Sequence, residues 1–365
     1  MLDFSIEITL PYATDDLPGI GGRLRAKPEH FVVEEIPLYE PQESGQHLYV
    51  NITRTGLTTK EVEAACARLF GLKRSQIGHA GLKDKNARTT QTFSLDLGAQ
   101  PGIADEAVAA RLSDALGVQV NWVRRHRNKL KTGHLLGNRF EIVVSEPDCS
   151  AEECLARCRR IAERLIAQGL PNYFGPQRMG REGANVAQGL AILQGSLKKR
   201  DKWLRQFLVS SVQSYLCNRY LAERVGMGAF DRLLAGDVAK KYATGGLFDV
   251  VDLDQEQPRY QAQEISFTAP LFGPAMWAAQ AEAGALEDKV LAQSGLTVED
   301  FGRARVNGTR RLGRLLVSDL EVHSHAEGVL MRFSLTKGAY ATTVLRELMK
   351  ADAALDEAEE SAEDS

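Results

Sequence analysis

The pattern of apolar residues predicts an α+β protein, with a helix-rich domain inserted into a sheet-based one. Three observations carry this expectation. Strand-like stretches at 31–35, 48–52, 93–97 and 140–144 occupy the first part of the chain, and another at 329–335 lies near its end. Helical spacing dominates the middle, over 151–168, 186–194, 198–225 and 286–294. Strands and helices are thus segregated, where a doubly wound sheet would alternate them one for one.

Each element has a local reason. Thr58 and Glu61 form a capping-box pattern, and Val62, Ala65, Cys66, Leu69 and Phe70 follow at helical spacing until Gly71. Phe93, Leu95 and Leu97 alternate with Ser94 and Asp96, as in a half-buried strand. Between them lies the polar segment 78–91, expected as a loop. Farther on, Cys154 and Cys158 fall four residues apart among Leu155, Ile161 and Leu165, which puts both on one helix face. Strand signals return only near Val317. The expected division is therefore a sheet domain built from 1–165 and 316–350, an inserted domain over 166–315, and a tail from 351 to 365.

Composition limits the classes. A chain of 365 residues, 44% hydrophobic and 25% charged, suits a two-domain globular protein. No run approaches the roughly 18 apolar residues of a membrane span, so no membrane partner is expected. Residues 1–18 carry Asp3, Glu7, Asp15 and Asp16 with no basic stretch or apolar core. They do not read as a signal peptide, and a cytoplasmic monomer is expected. Five cysteines without a CxxC spacing, in a chain lacking an export signal, are expected as reduced thiols.

The formal charge of −3 conceals an uneven distribution, because residues 351–365 hold seven acids and no base, leaving the remainder at +4. That tail lacks the apolar surface to offset ordering entropy and reads as a solvated, disordered end. Bases cluster three times, at Arg124, Arg125, Arg127, Lys129 and Lys131; at Lys198, Lys199, Arg200, Lys202 and Arg205; and at Arg303, Arg305, Arg310, Arg311 and Arg314. A solvated face explains any one cluster; three on a cationic body favour nucleic acid as the partner.

The familiar cofactor signatures are missing. Gly19, Gly21 and Gly22 do not complete a dinucleotide fingerprint, nor do Gly226 and Gly228, and no Gly-Lys-Ser/Thr ends a phosphate loop. His323 and His325 form the only close histidine pair, with no third ligand in view. Neither a nucleotide cofactor nor a metal is expected, and no Gly-x-Ser-x-Gly elbow marks a hydrolase.

One segment invites chemistry. Residues 78–91 read Gly-His-Ala-Gly-Leu-Lys-Asp-Lys-Asn-Ala-Arg-Thr-Thr-Gln. The glycines permit tight turns, and flanking Lys83 and Lys85 would favour the ionised form of Asp84. An exposed charged turn is the plainer account of that spacing.

This segment closely resembles the catalytic motif of the tRNA pseudouridine synthase D family. Three further segments resemble that family in the same order: Leu-Arg-Ala-Lys-Pro-Glu-His-Phe-Val-Val-Glu at 24–34, Gly-His-Leu-Leu-Gly-Asn-Arg-Phe at 133–140, and Pro-Asn-Tyr-Phe-Gly-Pro-Gln-Arg at 171–178. The resemblance covers nearly everything before the acidic tail. It implies a mixed, mainly antiparallel pseudouridine synthase sheet carrying an inserted helix-rich TRUD domain. It also implies tRNA as substrate, uridine 13 of the D arm as target, Asp84 as the catalytic carboxylate and Arg25 as its basic partner. Phe140 is implied as the aromatic beside the target base, with Asn138 as a polar contact and Phe31 lining the same pocket. Arg25 stands where some relatives carry a lysine, yet a guanidinium also pairs with a carboxylate.

Such a reaction breaks the bond from uracil N1 to ribose C1′, turns the base, and rejoins it through C5. Asp84 could bond to the sugar, stabilise its positive charge, or remove a proton from C2′ on the way to a glycal. Flipping the uridine out of its stack would let the Phe140 ring replace about 1–3 kcal/mol of lost stacking. Two other classes stay open on the residues alone. An RNA clamp without chemistry would use the basic clusters but needs no carboxylate in the 78–91 segment. A metal nuclease would need clustered carboxylates that the sequence lacks.

Overall fold

The structure, a computed structural model, describes residues 10–97, 105–199 and 201–351. Apart from Ala351, the expected disordered tail lies outside the described residues. In chain order, strands β1 (Phe31–Pro37) and β2 (His47–Arg54) precede helix α1 (Thr59–Phe70), β3 (Ile77–His79) and β4 (Arg88–Asp96). Helix α2 (Asp105–Leu116), β5 (Gln119–His126), β6 (Leu135–Ser145) and α3 (Ala151–Gln168) follow. Next come β7 (Leu170–Pro171), α4 (Pro176–Met179), α5 (Ala184–Leu193), α6 (Lys202–Gly226), β8 (Val238–Lys241) and β9 (Leu247–Asp249). Then α7 (Leu253–Gln261), β10 (Ile265–Leu271), α8 (Ala281–Gln293), α9 (Val298–Arg303), β11 (Thr309–Leu312) and β12 (Arg314–Leu315) lead to β13 (Glu321–His325), β14 (Gly328–Thr336) and α10 (Ala341–Met349).

These elements fall into two compact units. One spans Ile20–Arg159 and Asp319–Gly338; the other holds Arg160–Ser318 with Ala339–Lys350 and residues 10–19. The boundary runs through α3 rather than at 165, and the expected 316–350 segment is divided, β13 and β14 going to the first unit and α10 to the second.

The first unit is built on a mixed sheet in the order β13-β14-β6-β1-β4-β2-β5, with β3 also paired to β4. Only β1 and β4 run parallel, and every other pair is antiparallel. Alternation on β1 buries Phe31, Val33 and Glu35 on one face. Leu48, Val50 and Ile52 of β2 and Phe93 and Leu95 of β4 pack against Val62, Cys66 and Phe70 of α1 and Val108 and Leu112 of α2. Helix α1 starts at the expected capping box, where the Thr58 Oγ1 accepts from the Glu61 N–H at 3.1 Å and the Thr58 N–H donates to Glu61 Oε2 at 2.7 Å. It ends at Gly71, whose φ of 65° closes the last turn in the left-handed region that glycine tolerates best. The loop expected over 78–91 is shorter, because β3 and β4 extend into both of its ends.

Cys154 and Cys158 are both buried on α3, but the expectation of five reduced thiols is corrected at two positions. Cys149 and Cys154 are joined by a disulfide, with Cα atoms 5.7 Å apart, and Cys66, Cys158 and Cys217 remain free. The helix start explains the meeting. Ser150 caps α3, its Oγ accepting from the Glu153 N–H at 3.3 Å, so Cys149 and Cys154 take the staple positions that approach one another across a helix N-terminus.

The second unit is not purely helical, which corrects the reading that strands return only near Val317. A four-stranded sheet, β11-β10-β8-β9, lies inside it. Strand β10 is buried on both faces except at its last residue, so the polar and apolar alternation that reveals a half-buried strand is absent. The long helix α6 packs Leu208, Val212, Tyr215, Leu216 and Tyr220 into this unit's core with Phe267 of β10. Arg224 near its C-terminus is fully buried and pairs bidentately with Asp237, Nη1 to Oδ1 and Nη2 to Oδ2 both at 2.7 Å. Among the described residues no helix is long and apolar enough to cross a membrane.

Candidate active site

Three adjacent strands of the large sheet, β1, β6 and β14, bring the aromatic residues together by register. Val33 of β1 lies opposite Phe140 of β6, and Phe140 lies opposite Phe333 of β14. Phe31, two residues before Val33, is on the same face and meets the Phe140 ring edge-on, centroids 6.5 Å apart at 78°. Phe333 stacks on the other side of Phe140 at 5.3 Å and 26°. The Phe31 ring also carries the Arg25 guanidinium 4.4 Å above its centroid. Arg25 in turn donates from Nη2 to Asp84 Oδ2 at 3.2 Å.

The structure thus gathers Asp84, Arg25, Phe31 and Phe140 into one continuous contact series. Arg25 is buried, 7% exposed at its side chain, whereas the Asp84 carboxylate is 43% exposed and reachable from solvent. The Arg25 backbone has a φ of 56°, a left-handed conformation that costs a non-glycine residue about 1–2 kcal/mol. Strain of this kind persists where the surroundings over-determine the conformation, and here it aims the guanidinium at the carboxylate.

The expectation that flanking lysines serve Asp84 is corrected at Lys83. Lys83 turns inward, and its Nζ donates to Glu35 Oε2 at 3.2 Å, both side chains being nearly fully buried. Burial makes that pairing necessary, because an isolated ammonium in the interior costs several kcal/mol. Arg25 is a cation resolved against Asp84.

The loop bearing Asp84, residues 80–87, is tied to the scaffold on both sides. Gln91 Nε2 donates to the Gly81 carbonyl at 2.6 Å, and the Lys83 N–H donates to Thr59 Oγ1 at 2.9 Å. Thr59 and Gln91 are joined at 3.0 Å, and Arg54 Nη2 reaches both, Thr59 at 3.0 Å and Gln91 at 3.1 Å. The Gly133 N–H donates to the Ala80 carbonyl at 2.7 Å, and the Gly56 N–H to that of Lys85 at 3.1 Å. Close approach needs Gly78 just before the loop, since a Cβ there would meet the Leu130 carbonyl oxygen at 2.1 Å.

Asn138 lies two residues before Phe140 on β6, hence on the same face, opposite Glu35 on one side and Leu335 on the other. Its Oδ1 is buried and has no hydrogen-bond partner among the described residues. Such an orphan acceptor costs about 1–3 kcal/mol, which a ligand donor would recover. Leu82 in the Asp84 loop and Leu136 on β6 are both exposed apolar side chains.

Sequence reasoning did not find Glu35, Thr59, Gln91, Arg54 or Phe333. Glu35, a buried acid at an inward position of a strand, was the available signal; the others look like ordinary strand and helix residues. The third basic cluster is also not the surface stripe that was expected. Arg310 and Arg314 are buried, Arg310 pairing with Glu287 at 2.6 Å and Arg314 donating to the carbonyls of Tyr260 and Ile265. Arg311 lies 3.9 Å over the Phe174 ring.

The mixed sheet carries a half-exposed carboxylate near a row of aromatic rings, and comparison with known proteins assigns this fold to the pseudouridine synthase class. The crystal structure of a protein from Methanosarcina mazei described as a TruD superposes with a TM-score of 0.79 at 26% identity, over 96% of this chain and 98% of that one. The chain belongs to the tRNA pseudouridine synthase D (TruD) family, whose profile matches residues 7–200 and 193–348. It is 45% identical over 356 residues to the tRNA pseudouridine synthase D of Anaeromyxobacter dehalogenans strain 2CP-C, across 95% of this chain and 99% of the relative. Identity to a Thermus thermophilus protein of the same name is 44% over 357 residues, across 97% of this chain and 96% of that relative.

Proposed function

We propose that this chain converts uridine 13 in the D arm of tRNA to pseudouridine, with Asp84 as the catalytic carboxylate. The observation that carries the reading is the Arg25–Asp84 pair at 3.2 Å, set against Phe31 and through it Phe140. Family membership and the tRNA named for the relatives support the substrate.

The flipped uracil lies against the Phe140 ring, which Phe333 backs and Phe31 flanks, so stacking energy lost from the RNA is regained on the protein. Asn138 offers Oδ1 to the imide N–H of uracil and its amide N–H to a carbonyl oxygen. Asp84 then faces the sugar. As the N1–C1′ bond breaks, the carboxylate either bonds to C1′ or takes a proton from C2′ to leave a glycal; the base turns and bonds to C1′ through C5, displacing the carboxylate or with return of the proton to C2′, and C5 then loses its proton while N1 gains one. Arg25 orients Asp84 through its guanidinium–carboxylate hydrogen bond. The isomerisation is redox-neutral and consumes no nucleotide, so the chemistry asks for no cofactor.

The test is Asp84→Asn, which keeps the side-chain shape and removes the anion. With unmodified tRNA transcript, affinity is expected to stay near that of the wild type while turnover falls by roughly a thousandfold or more. Pseudouridine mapping of tRNA from cells with and without the gene is expected to differ at position 13. Comparable turnover by the variant removes Asp84 from the chemistry, and an unchanged map at position 13 removes that target.

A further inference from the structure

The second basic cluster surrounds a feature that the proposed chemistry does not use. Trp203, in the first turn of α6, is 71% exposed. Tryptophan joins a large apolar ring surface to a polar N–H, which suits it to contacts at a surface. One face of the indole is covered by Phe207, a helical turn on, with ring centroids 5.5 Å apart and planes within 9° of parallel. Phe207 is itself capped by the Arg178 guanidinium, 5.0 Å from its ring centroid. Arg178 is held in turn by Ser210 Oγ at 2.6 Å. The stack is therefore rigid on its inner side and presents one flat aromatic face to solvent.

The chain leading into that residue is cationic. Lys198, Lys199 and Lys202 lie within five residues of Trp203, and Lys198 and Lys202 are exposed. Arg200 adds to the sequence charge but lies outside the described residues. The single acid among them, Asp201, is committed to capping α6, its Oδ1 accepting from the Leu204 N–H at 2.7 Å. An exposed aromatic platform next to a run of cations is the combination that binds single-stranded nucleic acid, bases stacking on the ring and phosphates meeting the ammonium groups. A protein partner would be served by an apolar surround, and lysines are depleted in the cores of such interfaces.

We propose that Trp203 is a stacking platform for an unpaired nucleobase of the RNA substrate, with Lys198, Lys199 and Lys202 holding the adjoining phosphates. The site belongs to the helix-rich unit and adds a binding contact to the reading of the protein as a tRNA-modifying enzyme, on which it rests.

Full-length wild type, Trp203→Ala and Trp203→Phe are titrated with unmodified tRNA transcript, and pseudouridine formation is measured in parallel. Trp203→Ala is expected to weaken binding by roughly tenfold, at unchanged turnover under saturating RNA, while Trp203→Phe keeps most of the affinity. The chain holds three tryptophans, so the emission lost in Trp203→Phe belongs to Trp203, and tRNA is expected to quench it. Lys198→Ala with Lys202→Ala is expected to flatten the dependence of log affinity on log salt by roughly 1.5. If Trp203→Ala binds within about twofold of wild type and Trp203 emission does not respond to tRNA, the platform is overturned and the patch is left to a protein partner. If the wild type itself neither binds nor modifies the transcript, the functional reading falls and the platform with it. Binding and modification by a wild type that Trp203→Ala matches removes the platform alone.

Discussion

At Asn138 a single side chain shows stability and function pulling apart. The protein buries an amide oxygen with no partner among the described residues, a cost tolerated where a ligand supplies the missing donor. Asn138→Ala removes the orphan and, with it, the proposed uracil contact. Melting temperature is expected to hold or rise slightly, while kcat/KM for tRNA falls by roughly ten- to a hundredfold. A variant that melts lower and keeps full activity would show that the amide is structural. Arg25 is comparable, since its left-handed backbone spends conformational energy to face Asp84. Neither feature is visible in composition, because both depend on what lies across the strand or loop.

The loop at 80–87 is one unit with the helix and strands beneath it. Thr59, the first residue of α1, accepts from the Lys83 N–H, Gln91 of β4 holds Gly81, and the Gly56 N–H holds the Lys85 carbonyl, so the chain on either side of Asp84 is referenced to the scaffold. Thr59→Val conserves volume and the helix start but deletes the hydroxyl. It leaves the Lys83 N–H and part of the Arg54 and Gln91 network unsatisfied, at a cost of about 1–3 kcal/mol. Turnover is expected to fall roughly ten- to a hundredfold with KM little changed, because displacement of the carboxylate by about 1 Å is enough for such a loss. Steady-state kinetics with a denaturant melt separates the effects; full turnover in a destabilised protein would show that the loop does not need this anchor. Lys83 teaches the same lesson from the other side. Its place beside Asp84 in the chain suggested a partner, yet the loop turns it under the sheet to Glu35.

Across the whole molecule, the helix-rich unit depends on a buried charge pair that has no counterpart in the catalytic argument. Arg224 and Asp237 are both fully buried, and Asp237 also accepts from the Leu234 N–H at 2.7 Å. Asp237→Ala leaves a guanidinium in the interior without its carboxylate. A loss of about 3–5 kcal/mol is expected in the stability of that unit, measured by urea unfolding followed through a probe on α6. A loss under about 1 kcal/mol would mean that water or a neighbouring acid replaces the carboxylate.

The sequence alone determined what depends on spacing along the chain. Helix α1 with its capping box, the helix over 151–168, the main strands β1, β2, β4, β6 and β14, and the α+β class follow from periodicities of 3.6 and 2 and from local hydrogen bonding. The ordered motifs around Arg25, Asp84, Asn138 and the Pro171 segment pointed to the family that comparison then established. Tertiary structure decided what depends on partners distant in sequence. It set Phe333 behind Phe140, turned Lys83 from Asp84 to Glu35, hid Arg310 and Arg314 in a core, joined Cys149 to Cys154, and built a second sheet around β10. The physical reason is common to all of these. Burial and pairing depend on the other side of a contact, and a one-dimensional pattern records only the near side.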